Sequence, residues 1–200
     1  MQLTEIRIAG FGGQGVILSA MVLGKAASIF ERGFATVTQN FGPEARGGAC
    51  SAQLIIADSP VLYPYVTQPE ILMVMSQEAY ARFGPELRDG GTLIIEQDLV
   101  RVSDMDKKKE IKVYSIPATR IAEGLGKKMV QNSVMVGFFT ALTQLLEADA
   151  VRKAVADSVP AHFRELNLQA FEKGFEYGNA ALAHPTRGNS EMEMQYSAEE

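Results

Sequence analysis

"FATVTQNFGPEARGGACSAQLIIA", residues 34–57, decides how this chain folds. "FATVTQN" (34–40) and "ACSAQLIIA" (49–57) are β-branched and apolar runs that read as two strands. The eight residues between them, "FGPEARGG" (41–48), cannot hold a crossover helix. The connection after the second strand is therefore not that of a Rossmann unit, whose strands are linked through helices.

Upstream, "TEIRIAG" (4–10) is a short strand, and "QGVILSAMVLGKAASIFERG" (14–33) is a helix that is apolar on nearly every side up to Lys25, with Gly33 as its C-terminal stop. The junction "IAGFGGQGV" (8–16) places Gly10, Gly12 and Gly15 at the spacing G-x-G-x-x-G. That spacing lets a backbone turn tightly and bring amide N–H groups against a diphosphate at a helix N-terminus. A nicotinamide-binding unit also needs a carboxylate at the end of its second strand, for the ribose hydroxyls. Here the strand ends Thr38-Gln39-Asn40, with no carboxylate. The local geometry still suits a phosphate-bearing group; alternatively, the glycines serve only close helix–strand packing.

Downstream, strands are expected over "EILMVMS" (70–76), "GGTLIIEQ" (90–97) and "VYSIPA" (113–118), and helices over "QEAYARFGPEL" (77–87) and "TRIAEGLG" (119–126). Three further helical segments follow: "NSVMVGFFTALTQLLE" (132–147), "DAVRKAVADS" (149–158) and "PAHFRELNLQAFEKGFEYGNAALA" (160–183). In the last of them Phe163, Leu166, Ala170, Phe171 and Phe175 share one face. The fold class is α/β: a largely parallel sheet with helices on both faces, a Rossmann-like glycine loop, a non-Rossmann connection after strand 2 and a helical C-terminal part. One domain spans 1–183. Residues 184–200 are acidic and without periodicity and read as a disordered tail.

Composition is that of an ordinary soluble domain, 46% hydrophobic and 22% charged. The net charge is −5, of which the tail from Pro185 carries −3, and a near-neutral body is a poor match for nucleic acid. Cys50 is the only cysteine, so this chain alone builds neither a disulfide nor a four-thiolate cluster. No apolar stretch reaches the roughly 20 residues that span a bilayer, so no membrane is expected and the cytoplasm is the default location.

The stiff segment "NFGPEARGGAC" presents Arg46, whose planar fork suits a carboxylate or phosphate, a Glu44 contact or a partner subunit. Lys107, Lys108 and Lys109 read as a solvated loop. Cys50 reads as a small buried hydrophobe, and His162 and His184 lack neighbours at metal spacing. Asn132 reads as an N-cap, and its helix has more apolar surface than one face requires, which points to burial in this domain or, more readily, against a partner. No catalytic residue and no metal ligand is assigned.

Four stretches, "GFGGQGV", "FGPEARGG", "QNSVMVG" and "ELNLQAFEKGFEYG", occur in the order found in the gamma subunit of 2-oxoacid:ferredoxin oxidoreductases, which this chain resembles to about residue 182. "GPEARGG" is most like the relatives acting on 2-oxoglutarate or branched 2-oxoacids, with 2-oxoglutarate preferred; Phe41 stands where many relatives have Tyr. The resemblance implies one subunit of an enzyme that oxidatively decarboxylates the oxoacid to an acyl-CoA and passes electrons to ferredoxin. It implies alpha, beta and ferredoxin-like delta partners that hold thiamine diphosphate, Mg²⁺ and iron–sulfur clusters, with coenzyme A at a shared site. In that setting Gly12, Gly13, Gln14 and Gly15 would contact coenzyme A, with Arg46 as a second contact. The other readings are an NAD(P)-binding oxidoreductase domain and a purely structural interaction subunit.

Overall fold

The computed structural model describes residues 3–41, 49–102 and 110–183. Six strands form one sheet: β1 (Leu3–Phe11), β2 (Phe34–Phe41), β3 (Ala49–Ala57), β4 (Ile71–Val74), β5 (Thr92–Glu96) and β6 (Lys112–Ile116), in the order β2-β3-β1-β4-β5-β6. β1, β4, β5 and β6 pair in parallel, whereas β3 runs antiparallel to both of its neighbours. The short link between β2 and β3 has this consequence: β2 folds back on β3, with Phe34 opposite Ala57 and Phe41 opposite Cys50. Five of the six strands thus point one way, and the reversed one lies between β2 and β1.

Both faces of the central strands are buried, as parallel strands require. Ile6 and Ile8 of β1, Met73 of β4 and Ile94 of β5 face the larger core; Ala9, Leu72, Val74, Leu93 and Ile95 face the smaller one. The larger core is covered by α1 (Val16–Lys25, prolonged by a π-helical turn Ala26–Phe30), α3 (Ala118–Gly124), α4 (Gln131–Thr143), α5 (Ala148–Ser158) and α6 (Arg164–Ala183). The smaller core is covered by α2 (Gln77–Phe83) through Ala79, Tyr80 and Phe83, with Ser76 capping the helix by accepting from Ala79 N at 3.2 Å. On this face the buried Arg7 pairs with Glu86, donates to Val66 O at 2.7 Å and lies 4.8 Å from the Phe83 ring centre. It ties the β3–β4 connection and the segment after α2 to the middle of β1.

Three local expectations are corrected. The α1 unit is closed not by Gly33 but by Arg32, which takes the left-handed conformation (φ 59°), while Gly33 N donates to Ala27 O at 2.9 Å. The apolar helix does not reach residue 147. It stops at Thr143, where Gln144 turns left-handed (φ 47°) and donates to Thr140 O at 3.1 Å. Its apolar surface is covered within this chain, by α1, α3, α5 and α6, rather than by a partner.

α4 and α6 meet through glycine. A Cβ on Gly137 would collide with the Phe171 carbonyl, and one on Gly174 with the Val134 carbonyl. Beside this seam Ser133 donates to Asn167 Oδ1 at 2.7 Å and Asn167 donates to Phe163 O at 2.9 Å. No helix among the described residues is long and apolar enough to cross a membrane. Arg46, Lys107, Lys108, Lys109, His184 and the tail lie outside the described residues.

Candidate functional site

In an open α/β sheet the natural crevice for a ligand lies beyond the carboxyl ends of the strands, where successive crossovers diverge to the two faces. In this sheet that point falls between β1, followed by α1 on the larger core, and β4, followed by α2 on the smaller one. The glycine loop sits there. Phe11 O accepts from Gln14 N at 3.2 Å, and Gly13 at the third position of the turn has φ 97°, the signature of a type II turn that glycine fits best.

Each of three glycines has its own reason. A Cβ on Gly10 would stand 2.5 Å from Gln14 Oε1 and 3.3 Å from Met75 Cβ. Gly15 caps α1 at φ 75°, and a Cβ there would stand 2.6 Å from Asn132 Cγ. Gly13 meets nothing within 4 Å and is exposed. Packing therefore accounts for Gly10, packing together with a left-handed backbone for Gly15, and the backbone turn alone for Gly13.

The Gln14 carboxamide closes the crevice. Its Oε1 accepts from Phe11 N and its Nε2 donates to Met75 O, both at 2.7 Å, which laces the end of β1 to the end of β4. Gln14 therefore shapes the loop while the main chain at Gly12 and Gly13 stays exposed. α1 begins just behind, with no side-chain cap and no acidic residue in its first turn. Its first N–H groups and the positive end of its dipole favour an anion there. Ser19 N and Ser19 Oγ both return to Gly15 O, at 2.9 and 3.0 Å, and fix the cap.

Asn132 does not cap α4. Val130 occupies the cap position, and Asn132 is the second helical residue, 4% exposed and packed against Gly15. The motif that opens α4 thus forms the floor of the glycine loop, a relation that spacing along the chain does not reveal. Two other site residues carry no sequence signature. Glu96, at the end of β5 and fully buried, accepts from Asp98 N and Leu99 N at 2.8 Å and from Thr119 N at 3.0 Å. Thr119 Oγ1 in turn lies 3.0 Å from Gln131 Oε1 and donates to it. A buried polar path thus runs along the carboxyl edge of the sheet from Glu96 to the residue before Asn132.

Cys50 is paired with Gly10 in the β1–β3 register, and burial pushes its thiol up from the ordinary range. The His162 ring lies beside that of Phe163, with ring centres 4.1 Å apart and planes tilted by 49°. Among the described residues no three His, Cys, Asp or Glu side chains stand together where they could hold a metal ion. A phosphate-bearing coenzyme fits the exposed amides of the loop.

A family profile described as pyruvate ferredoxin/flavodoxin oxidoreductase matches residues 5–177. The chain is 43% identical over 173 residues to the 2-oxoglutarate synthase subunit KorC of Methanocaldococcus jannaschii, covering 86% of this chain and 92% of that relative. The gamma subunit of a keto/oxoacid ferredoxin oxidoreductase from Geobacter sulfurreducens superposes with a TM-score of 0.78 at 36% identity, over 89% of this chain and 99% of that one. The fold recurs, with a TM-score of 0.77 at 20% identity, in a 2-oxoglutarate:ferredoxin oxidoreductase from Magnetococcus marinus with 2-oxoglutarate, coenzyme A and succinyl-CoA bound; there 90% of this chain matches 32% of that one. On the strength of a profile spanning nearly all of the described residues and a relative matched over almost its whole length, the chain belongs to the pyruvate ferredoxin/flavodoxin oxidoreductase family.

Proposed function

We propose that this chain is the gamma subunit of a 2-oxoglutarate:ferredoxin oxidoreductase and that its glycine loop receives part of coenzyme A at a site shared with the catalytic subunits. The observation that carries the reading is the exposed main chain at Gly12 and Gly13 in front of an α1 terminus that no side chain caps. Gln14 and Gly15 hold that loop in shape, and Arg46 is the second contact. The choice of 2-oxoglutarate is supported by the likeness to the archaeal KorC subunit.

Thiamine diphosphate, Mg²⁺ and the iron–sulfur clusters are assigned to partner subunits, where the oxoacid is decarboxylated and its electrons leave for ferredoxin. In this reading the described residues of this chain take no part as acid, base or ligand in those steps. Its amides bind and orient an anionic coenzyme by fixed dipoles that need no rearrangement. The packing roles of Gly10 and Gly15 favour one other reading, a subunit whose loop serves assembly alone.

The test is a purified complex from the native host, assayed with 2-oxoglutarate, pyruvate and branched 2-oxoacids. Gly13→Leu is expected to raise the KM for coenzyme A, with Gly13→Asn, which tolerates left-handed backbone, as the control for strain. Loss of assembly with an unchanged KM would favour the structural reading.

A further inference from the structure

The sheet has two outer strands, and they are finished differently. β6 is five residues long and opens on an exposed Lys112, a charge of the kind that keeps further strands from adding to an edge. β2 is eight residues, FATVTQNF, without a charge or a proline, and its one-to-one register with β3 contains no bulge. A strand paired on one side only turns the N–H and C=O of alternate residues outward. Among the described residues nothing but β3 hydrogen-bonds to β2. The helix beside this edge is apolar too. Gly24 of α1 lies over β2, where a Cβ would stand 2.9 Å from Val37 Cγ2. Met21, three residues earlier on that side of α1, is 56% exposed; Ile29 is 61% exposed, and Phe34 at the start of β2 is 41% exposed. The opposite side of α1 is closed by α5, through Lys25 and Asp157 at 2.8 Å.

We propose that β2 is a self-pairing edge: it adds antiparallel to β2 of a second copy of this chain, about a two-fold axis normal to the sheet. The chemistry of the edge selects its occupant. Outward main-chain donors and acceptors take another strand, as in β-augmentation. A strand without charge sets no like charges against each other when it meets itself, in any register. The two-fold keeps each face of the sheet on its own side, so that Thr36, Thr38 and Asn40 continue one face across the axis and Ala35 and Val37 the other. It also brings α1 beside α1, where the exposed Met21 side chains can cover one another. Each copy offers a side about 27 Å long, at about 3.4 Å per residue, and two layers deep. That is roughly 500 Å² per copy, or about 1,000 Å² in all, the lower limit for a specific interface. The dimer is therefore one that forms at micromolar concentration and comes apart on dilution.

The test uses the full chain in sedimentation velocity from about 1 to 100 μM, where a micromolar dimer passes from mostly dissociated to mostly formed. Thr38→Lys is expected to keep the chain monomeric over that range, with the melting temperature at the lowest concentration unchanged, because two lysines would meet across the axis. Added salt should restore part of the dimer. A second measurement does not depend on that variant folding. With Cys50→Ala as background, Thr36→Cys, Val37→Cys and Thr38→Cys are oxidised one at a time, and Leu62→Cys, at a side chain 94% exposed, reports random collision. Only the residue on the axis meets its own copy within disulfide reach. One of the three is expected to cross-link at least roughly tenfold faster than Leu62→Cys, since pairing raises the effective thiol concentration toward millimolar. A chain that stays monomeric at every concentration, with no cysteine preferred, overturns the proposal. So does a purified complex in which the β2 amides resist hydrogen exchange while none of the three cysteines cross-links, for then a strand of another subunit holds the edge.

Discussion

Gly137 of α4 and Gly174 of α6 stand in a reciprocal relation: each lies against the carbonyl that sits three residues before the other, Phe171 for Gly137 and Val134 for Gly174. The spacing of the two helices is set by the absence of two Cβ atoms. Since Ser133 and Asn132 precede Gly137 on α4, the same seam fixes the floor of the glycine loop.

Gly137→Ala or Gly174→Ala would drive a methyl group into a backbone oxygen that cannot turn away. Overpacking of this kind costs about 3 kcal/mol. For a domain of this size it would lower the melting temperature by roughly 6–12 °C, measurable by differential scanning calorimetry. A change near zero would mean that the helices can part without loss.

Gln14 holds two backbone groups at once. Gln14→Ala leaves Phe11 N and Met75 O without that partner and is expected to cost about 2 kcal/mol in chemical denaturation. Gln14→Glu keeps the acceptor for Phe11 N but turns a second oxygen toward Met75 O, so it is expected to destabilise as well. Faster amide exchange at Phe11 in the Ala variant alone would confirm the division of labour.

Glu96 receives three main-chain N–H groups while buried at 1% exposure. Glu96→Gln replaces one accepting oxygen by an amide that points hydrogens at donors. The expected loss is about 2–3 kcal/mol, read by denaturant titration, with Glu96→Ala at least as harmful.

Cys50 is expected to be slow toward thiol reagents in the folded protein. Burial raises its pKa, so at any pH below that value the reactive thiolate is a smaller fraction than in the unfolded chain. Reaction with a disulfide reagent at pH 8 should be at least roughly tenfold slower in the native state than in denaturant. Equal rates would show that the β1–β3 pair opens readily around Gly10.

The six strands and the order of the helices were legible because their signals are local: β-branched runs for strands, longer apolar segments for helices, and glycine or proline between them. The reversed direction of β3 was implicit in the length of the link after β2, but its place between β2 and β1 was not, because strand order depends on pairing between distant residues. The two left-handed closures fell on Arg32 and Gln144, residue types that carry no stop signal, so Gly33 attracted the reading and α4 was drawn too long.

At the site, the loop was visible as a loop, and its individual glycines were not separable. Gly10, Gly13 and Gly15 look alike in a string, yet one clears a side chain, one turns the backbone and one admits Asn132. Asn132 itself resembled a cap because it precedes an apolar helix. Only the crossing of α1 and α4 shows what it touches.

Placing β3 next to β1 means that the residues beside the glycine loop belong to the start of a strand, Ala49 and Cys50, instead of the end of one. A nicotinamide enzyme could not be recovered from this scaffold by exchanging single side chains, since the position that would bear the ribose-binding acid has been carried one strand farther out. The glycine loop and the strand that would complete a nicotinamide site are thus kept apart by the order of the strands, which no exchange of side chains alters.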